Sequence, residues 1–283
     1  MFFKVFKFNF KIIICFVLLI TIYFSLFYNV NGGNNEDFIK LPIIMYHSIL
    51  KDPSKSGKYT ISPTLLESDF NYLKSHKFSP IFMQNLIDYV YDGTTLPDNP
   101  IIITFDDGYY NNYEYLLPLL EKYNFKAVIS IVGSYTDTYS QSGEANPNYS
   151  YLRWCDINSG IQSGYLEFQN HSYNMHSSNG SMKIYNEDFN HYKNRFYNDI
   201  SKLQNEFKDN TGYTPSTYTY PFGGITNGTT DILKEIGFKA SLSCTSGINY
   251  ISRNPDCLFC LKRNNRPSNI SSEQFFNKIL KEK

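Results

Sequence analysis

The sequence predicts an α/β protein: one parallel sheet or barrel, forming a single catalytic domain behind an N-terminal export segment. Three observations carry that expectation. Strand-like and helix-like segments alternate along the chain, with no internal repeat and no low-complexity block, the pattern of a parallel sheet wrapped by helices. The central run Ile101-Ile102-Ile103-Thr104-Phe105 shows no apolar–polar alternation, as expected of a strand buried on both faces. The polar residues of interest follow strands, and in a barrel the carboxyl ends of the strands share one face, where active sites are found.

Lys4, Lys7 and Lys11 lead into an uncharged apolar run over residues 12–28. A basic head and an apolar run form an export signal, and this run is near the lower limit of roughly 17 residues for spanning a bilayer. Residues 1–30 are therefore expected to be a signal peptide or a transmembrane anchor. Val30-Asn31-Gly32 is a mediocre cleavage site, which favours an anchor with the catalytic part outside the cell. Residues 31–40, opening with Asn31-Gly32-Gly33-Asn34-Asn35, read as a flexible tether. The catalytic domain is expected over residues 41–283 of the 283, enough for one large domain.

With 26 basic and 26 acidic residues the formal net charge is zero, so nothing points to nucleic acid or an acidic polymer as partner. The 25 tyrosines and 23 phenylalanines could stack on sugar rings, but a compositional bias would give the same excess.

In chain order, Leu41-Pro42-Ile43-Ile44-Met45-Tyr46-His47 is an apolar run ending in a polar residue. Ser62-Pro63 starts a helix, with Ser62 as N-cap and Pro63 in the first turn, and Leu66, Phe70 and Leu73 form its apolar stripe. Residues 84–91 form a short helix closed by Asp92-Gly93. After the central strand, Tyr113, Leu116, Leu117 and Leu120 mark a helix despite Pro118. Residues 126–132 are a strand. Residues 134–150 read as a long polar loop suited to a lid or substrate rim. A helix over 154–163 ends at Gly164, and a strand over 165–168 runs into Gln169-Asn170-His171. Phe189, Tyr192, Phe196, Ile200, Leu203 and Phe207 fit one face of a long helix. Residues 217–220 are a strand, followed by Pro221-Phe222-Gly223-Gly224. A helix over 230–236 stops at Gly237, and strands are expected over 238–242 and 258–261, with a last helix over 271–280.

The five cysteines say little. Cys257-Leu258-Phe259-Cys260 has a redox or zinc spacing, but no second such pair completes a four-thiolate site. Ordinary cysteines or an incidental disulfide are expected there.

The chemistry concentrates in two stretches. Asp106-Asp107-Gly108 ends the central strand, and a buried carboxylate needs a metal, a proton or a basic neighbour. His171-Ser172-Tyr173-Asn174-Met175-His176 follows another strand. Its two histidines are five apart, which suits convergence across a tight loop rather than along a helix. Two histidines and one aspartate with open positions make a catalytic rather than a closed structural metal set. His76 and His191 lie outside any motif and are expected on the surface.

The ordered motifs Thr104-Phe105-Asp106-Asp107-Gly108, His171-Ser172-x-x-x-His176 and Tyr220-Pro221-Phe222-Gly223 resemble those of the polysaccharide deacetylases with a NodB-homology domain, carbohydrate esterase family four. Residues 41–49, with Tyr46-His47, and the five-residue histidine spacing resemble the poly-N-acetylglucosamine deacetylase branch. The likeness spans residue 41 to the C-terminus.

The resemblance implies a distorted (β/α)7-type barrel that removes N-acetyl groups from an N-acetylglucosamine polymer. It implies a divalent metal on Asp107, His171 and His176, zinc first, with cobalt, nickel or iron as alternatives. It implies Asp106 as general base. The backbone N–H of Phe222 is a candidate for holding the oxyanion, and His47 is the candidate acid for the leaving amine. Two departures stand out. No histidine follows His191, so an acid supplied near the C-terminus is impossible. Thr217-Tyr218-Thr219-Tyr220 also lacks the arginine that often precedes the Pro-x-Gly motif. Arg263, after the last expected strand, is either the residue that orients Asp106 instead or an ordinary surface arginine.

The expected partners are an N-acetylated glycan of the cell envelope or biofilm and, through the N-terminal segment, a membrane. The alternative is a catalytically silent glycan-binding protein of the same fold. A glycosidase using Asp106 and Asp107 is disfavoured, because adjacent strand residues point to opposite sides and would not flank a glycosidic bond at about 5–9 Å.

Overall fold

In the computed structural model, residues 19–21, 38–177 and 179–280 are described. The chain divides into two compact units, Met1–Asp37 and Phe38–Lys283. The expected export segment lies outside the described residues except for 19–21. Among the described residues, no helix is long and apolar enough to cross a membrane.

The second unit is built on a curled parallel sheet. Its strands are β2 (Ile43–Tyr46), β6 (Pro100–Phe105), β7 (Ala127–Ile131), β8 (Leu166–Asn170), β9 (Thr217–Thr219), β10 (Ala240–Leu242) and β12 (Asn264–Asn265). They lie in the order β10-β9-β8-β7-β6-β2-β12, all parallel. The short β3 (Ser48–Ile49) and β4 (Thr60–Ile61) pair with each other, and β5 (Ser79–Pro80) adds to the start of β6. One segment spans the seam between the two edges. Leu261 N–H donates to the Ser241 carbonyl at 2.8 Å and Arg263 N–H to that of Thr245 at 2.9 Å. Asn264 and Asn265 then pair with Ile44 and Met45 of β2. The sheet is thus the expected distorted barrel.

Every residue of β6 is buried, as the unbroken apolar run requires. Period-two alternation still sorts them. Ile101, Ile103 and Phe105 pack with the outer helices in a cluster that includes Leu66, Phe70, Leu120 and Phe276. Ile102 belongs to a second cluster with Val128, Ala240, Leu242 and Met83. Thr104 and Asp106 continue the Ile102 face toward the carboxyl end.

The helices follow the sequence closely. Ser62 accepts from Leu65 N–H at 3.1 Å and caps α1 (Pro63–Ser75). Helix α2 spans Met83–Tyr91. Pro118 is accommodated by a π-helical turn, Asn112–Leu116, placed before α3 (Leu117–Tyr123). Helix α4 is Gly133–Ser142 and α5 is Trp154–Ser163. Helix α6 (Phe189–Thr211) buries Tyr192, Phe196, Ile200, Leu203 and Phe207, but Phe189 at its first position is 45% exposed. Helices α7 (Thr229–Ile236) and α8 (Ser272–Leu280) complete the set.

Three expectations are corrected. Much of the expected loop over 134–150 is helix α4. It carries no apolar stripe and buries only Gly133 and Thr136, so its sequence had no period to read. Its first amides are held from outside, Gly133 N–H by the Ser172 carbonyl at 3.1 Å and Ser134 N–H by that of Tyr173 at 2.8 Å. The expected strand over 258–261 is a 3-10 turn, Pro255–Leu258, followed by Cys260 at φ +59. Leu258 and Leu261 are buried as core all the same. Finally, Ile39 and Lys40, assigned to the tether, lie in β1 (Ile39–Leu41), which pairs antiparallel with β11 (Asn249–Ile251).

Candidate active site

Asp106 and Asp107 leave β6 in opposite directions. Asp107 (φ +73) and Gly108 (φ +74) turn the chain through the left-handed region, which aspartate and glycine tolerate best. A Cβ on Gly108 would lie 2.9 Å from Ile131 Cγ2, so the turn also needs glycine for space.

Asp106 faces Arg263. Arg263 Nη1 donates to Oδ1 at 2.7 Å and Nη2 to Oδ2 at 2.8 Å, the bidentate geometry that only arginine offers. Arg263 also donates to the Ser243 carbonyl at 2.8 Å and to Thr104 Oγ1 at 3.2 Å, and it is fully buried. Arg263 is therefore not a surface residue. Burial pushes the Asp106 pKa up, but the Arg263 charge and its hydrogen bonds outweigh burial and hold it below the ordinary value.

Asp107 faces the histidines. Its Oδ1 lies 3.0 Å from His176 Nε2 and 3.5 Å from His171 Nε2. His171 Nδ1 lies 2.8 Å from the Thr219 carbonyl. A carbonyl only accepts, so Nδ1 carries a proton, and Nε2 is the atom that His171 can offer to a metal once it is deprotonated. The loop between the histidines is pinned. Asp199 accepts from the N–H groups of Tyr173 at 2.8 Å and Asn174 at 2.9 Å, and Ser172 Oγ accepts from Met175 N–H at 3.0 Å.

One ligand atom each from Asp107, His171 and His176 lies within 4.8 Å of the other two. Asp107 Oδ1 is buried and finds no donor apart from those two ring nitrogens, a costly state for a carboxylate oxygen unless a cation meets it. The Asp107 pKa is raised by burial and lowered by both imidazoles, and the net effect is a carboxylate far below its ordinary range. An ionised carboxylate and two imidazole nitrogens suit a divalent metal with open positions.

Both groups open into a cavity of about 530 Å³, lined also by His47, Lys58, Tyr59, Tyr109, Phe222 and Cys244. His47 follows β2, and its ring packs 4.7 Å from that of Tyr59. Its Nδ1 is buried without a partner, and burial lowers its pKa although Asp106 and Asp107 pull the other way. Phe222 sits in the Pro221–Gly223 turn at φ +55. The residue is 62% exposed, and its ring lies 4.8 Å from that of His176.

The model for the family described as Polysaccharide deacetylase matches residues 93–241. The chain belongs to the polysaccharide deacetylase family. Relatives named poly-beta-1,6-N-acetyl-D-glucosamine N-deacetylase include one from Escherichia coli (strain K12), 22% identical over 227 residues, 72% of this chain and 34% of that protein. Another, from Staphylococcus aureus (strain MRSA252), is 25% identical over 188 residues, 65% of this chain and 61% of that protein. The chain thus spans about a third of the first relative and about three fifths of the second. The de-N-acetylase from Aggregatibacter actinomycetemcomitans superposes with a TM-score of 0.70 at 25% identity, covering 86% of this chain and 99% of that one. The Streptococcus pyogenes deacetylase PplD in complex with acetate gives 0.70 at 19% identity, with the same coverage.

The polysaccharide deacetylase match contains Asp106, Asp107, His171, His176 and Phe222. His47 and Arg263 lie outside it, and the fold brings them in through β2 and the seam segment. Every candidate site residue therefore reaches the same end of the barrel. His76 and His191 are exposed away from the cavity, His191 bound to Glu187 at 2.8 Å. No disulfide forms among the described cysteines, and Cys257 donates to the Ser252 carbonyl at 3.6 Å.

Sequence reasoning missed several contributors. Thr104 and Tyr109 flank the Asp-Asp-Gly turn and were available to it. Lys58 and Tyr59 sit in a polar loop whose only signal is its position after His47. The Thr219 carbonyl that orients His171 leaves no signature in the sequence, because any residue supplies a carbonyl.

Proposed function

We propose that this chain is a metal-dependent N-deacetylase acting on an N-acetylglucosamine polymer of the cell envelope or biofilm, with poly-β-1,6-N-acetylglucosamine the first candidate. The names of its relatives support that substrate class. The observation that carries the reading is the division of labour between adjacent carboxylates. Asp106 is clamped by Arg263, and Asp107 is aimed at two imidazole nitrogens.

Asp107, His171 and His176 would hold the metal, zinc by preference for such a donor set. A divalent cation there would supply Lewis-acid polarisation to the amide carbonyl and to the attacking water. Asp106 stays ionised beside Arg263 and accepts the water's proton. Arg263 keeps both oxygens of that base fixed, so no reorientation is needed as charge moves. The Phe222 N–H, at the cavity rim, donates to the oxyanion that develops; losing one such donor costs about 3 kcal/mol. His47, in the same cavity, gives a proton to the nitrogen so that it leaves as an amine. The basic head and apolar run of residues 1–30 support export, with the catalytic unit outside the cell, either anchored or released after cleavage.

The test is acetate release from poly-β-1,6-N-acetylglucosamine, peptidoglycan and chitin oligomers, with and without chelator. Release from at least one glycan, abolished by chelator and restored by zinc, is expected. Chelator-resistant release, or release of reducing ends without acetate, would overturn the reading.

A further inference from the structure

We propose that Lys58 and Tyr59 form a subsite that reads the acetylation state of the sugar next to the one being hydrolysed, admitting an acetamido group and disfavouring a free amine. The inference rests on the deacetylase reading and adds a specificity which that reading leaves open.

The argument starts from the charge change in the reaction. Water's hydroxyl adds to the acetyl carbon and the carbon–nitrogen bond breaks. Acetate leaves, and the nitrogen takes up protons to become an ammonium at neutral pH. Each turnover on a polymer therefore sets a new positive charge beside the remaining neutral amides. The charges on the cavity wall decide how the enzyme treats that neighbour.

Asp106 is already matched by Arg263, and Asp107 is committed to the two imidazoles. Lys58 lines the same cavity and has no carboxylate within ion-pair distance among the described residues. Its Nζ stands 4.8 Å over the Tyr59 ring. Tyr59 is 47% exposed, and its ring packs 4.7 Å from that of His47. The charge therefore sits one ring away from the candidate acid.

The rim that carries it is fixed. The Tyr59 carbonyl accepts from Ser48 N–H at 3.0 Å, Asn265 Nδ2 donates to the Lys58 carbonyl at 2.9 Å, and the next two residues pair with Ser48 and Ile49. An ammonium has three donors and no acceptor. Lys58 can bond an acetamido carbonyl but can only repel a second ammonium, while the exposed part of Tyr59 offers apolar surface to the acetyl methyl. The consequence is spaced deacetylation that slows as free amines accumulate.

The experiment compares acetate release from a fully acetylated β-1,6-linked N-acetylglucosamine pentamer with release from the same pentamer carrying one free amine beside an acetylated sugar. The readout is the ratio of the two rates, which a general loss of activity does not imitate. The wild type should prefer the fully acetylated pentamer by about five- to tenfold at low salt, and less at high salt. Lys58→Gln should bring the ratio close to one, Lys58→Arg should keep it, and Lys58→Glu should invert it. A ratio unchanged in Lys58→Gln, or no preference in the wild type, overturns this proposal alone. No acetate from either pentamer with the wild type removes the deacetylase reading and this proposal with it.

Discussion

Arg263 and Asp106 are 157 positions apart in the chain and meet as a buried fork, with two parallel bonds of 2.7 and 2.8 Å. The barrel seam makes the meeting possible, since Arg263 lies on a segment that bonds to both β10 and β2. Closing the barrel and fixing the proposed base are therefore one structural event.

Replacing Arg263 separates these roles. Arg263→Met leaves Asp106 buried without its partner and should cost about 3–5 kcal/mol of stability. Arg263→Lys keeps the charge and loses the fork, so turnover should fall about 10- to 100-fold. Arg263 holds the Asp106 pKa down against burial, and a weaker partner lets it rise. A base acts when ionised, so the acid limb of the pH–rate profile should move to higher pH in Arg263→Lys. An unmoved acid limb would show that Arg263 does not tune Asp106.

His47 offers a sharp separation of metal binding from proton transfer. His47→Gln should lower turnover by about 10²- to 10⁴-fold, remove the basic limb of the profile and leave the metal content at that of the wild type. Loss of metal in this variant, measured by elemental analysis, would make His47 a ligand rather than the acid.

Much of this was legible in the sequence because burial and chemistry share the same residues. The unbroken run from Ile101 to Phe105 reported two-sided burial, and the carboxylates at its end had to be matched by something. The two histidines were legible because their spacing suits a loop and not a helix. Helix α4 was not legible, because its Ser, Thr and Tyr residues bury almost nothing and its first turn is held by carbonyls of the histidine loop. Leu258 and Leu261 looked like a strand because they are core residues, but Cys260 in the left-handed region breaks the extension between them. The Arg263–Asp106 pair was open in the sequence for a different reason: only three-dimensional closure shows which arginine the base finds.

Glu167 lies at the start of β8, away from the cavity, and gives a test of the fold itself. It accepts from the N–H groups of Met83 at 3.2 Å and Gln84 at 3.0 Å, and from Gln169 Nε2 at 2.8 Å. Burial outweighs these bonds and pushes its pKa up to about 7. Because the folded value is raised, the folded state keeps a proton that the unfolded chain releases. The contribution to stability is complete below the ordinary value near 4.5 and is lost as the pH rises past about 7. Urea midpoints at pH 5 and pH 8 should show a loss on the order of 1–3 kcal/mol in the wild type and a flatter response in Glu167→Gln. The same pH dependence in both proteins would contradict this.

The central claim is that Asp106 does chemistry while Asp107, bonded to it in the chain, does coordination. The most direct measurement is the rate of acetate release by Asp106→Asn at established metal content. One metal per chain with release reduced by about a thousandfold or more is the predicted result. Release within tenfold of wild type at full metal occupancy, or a protein that no longer holds the metal, would contradict it.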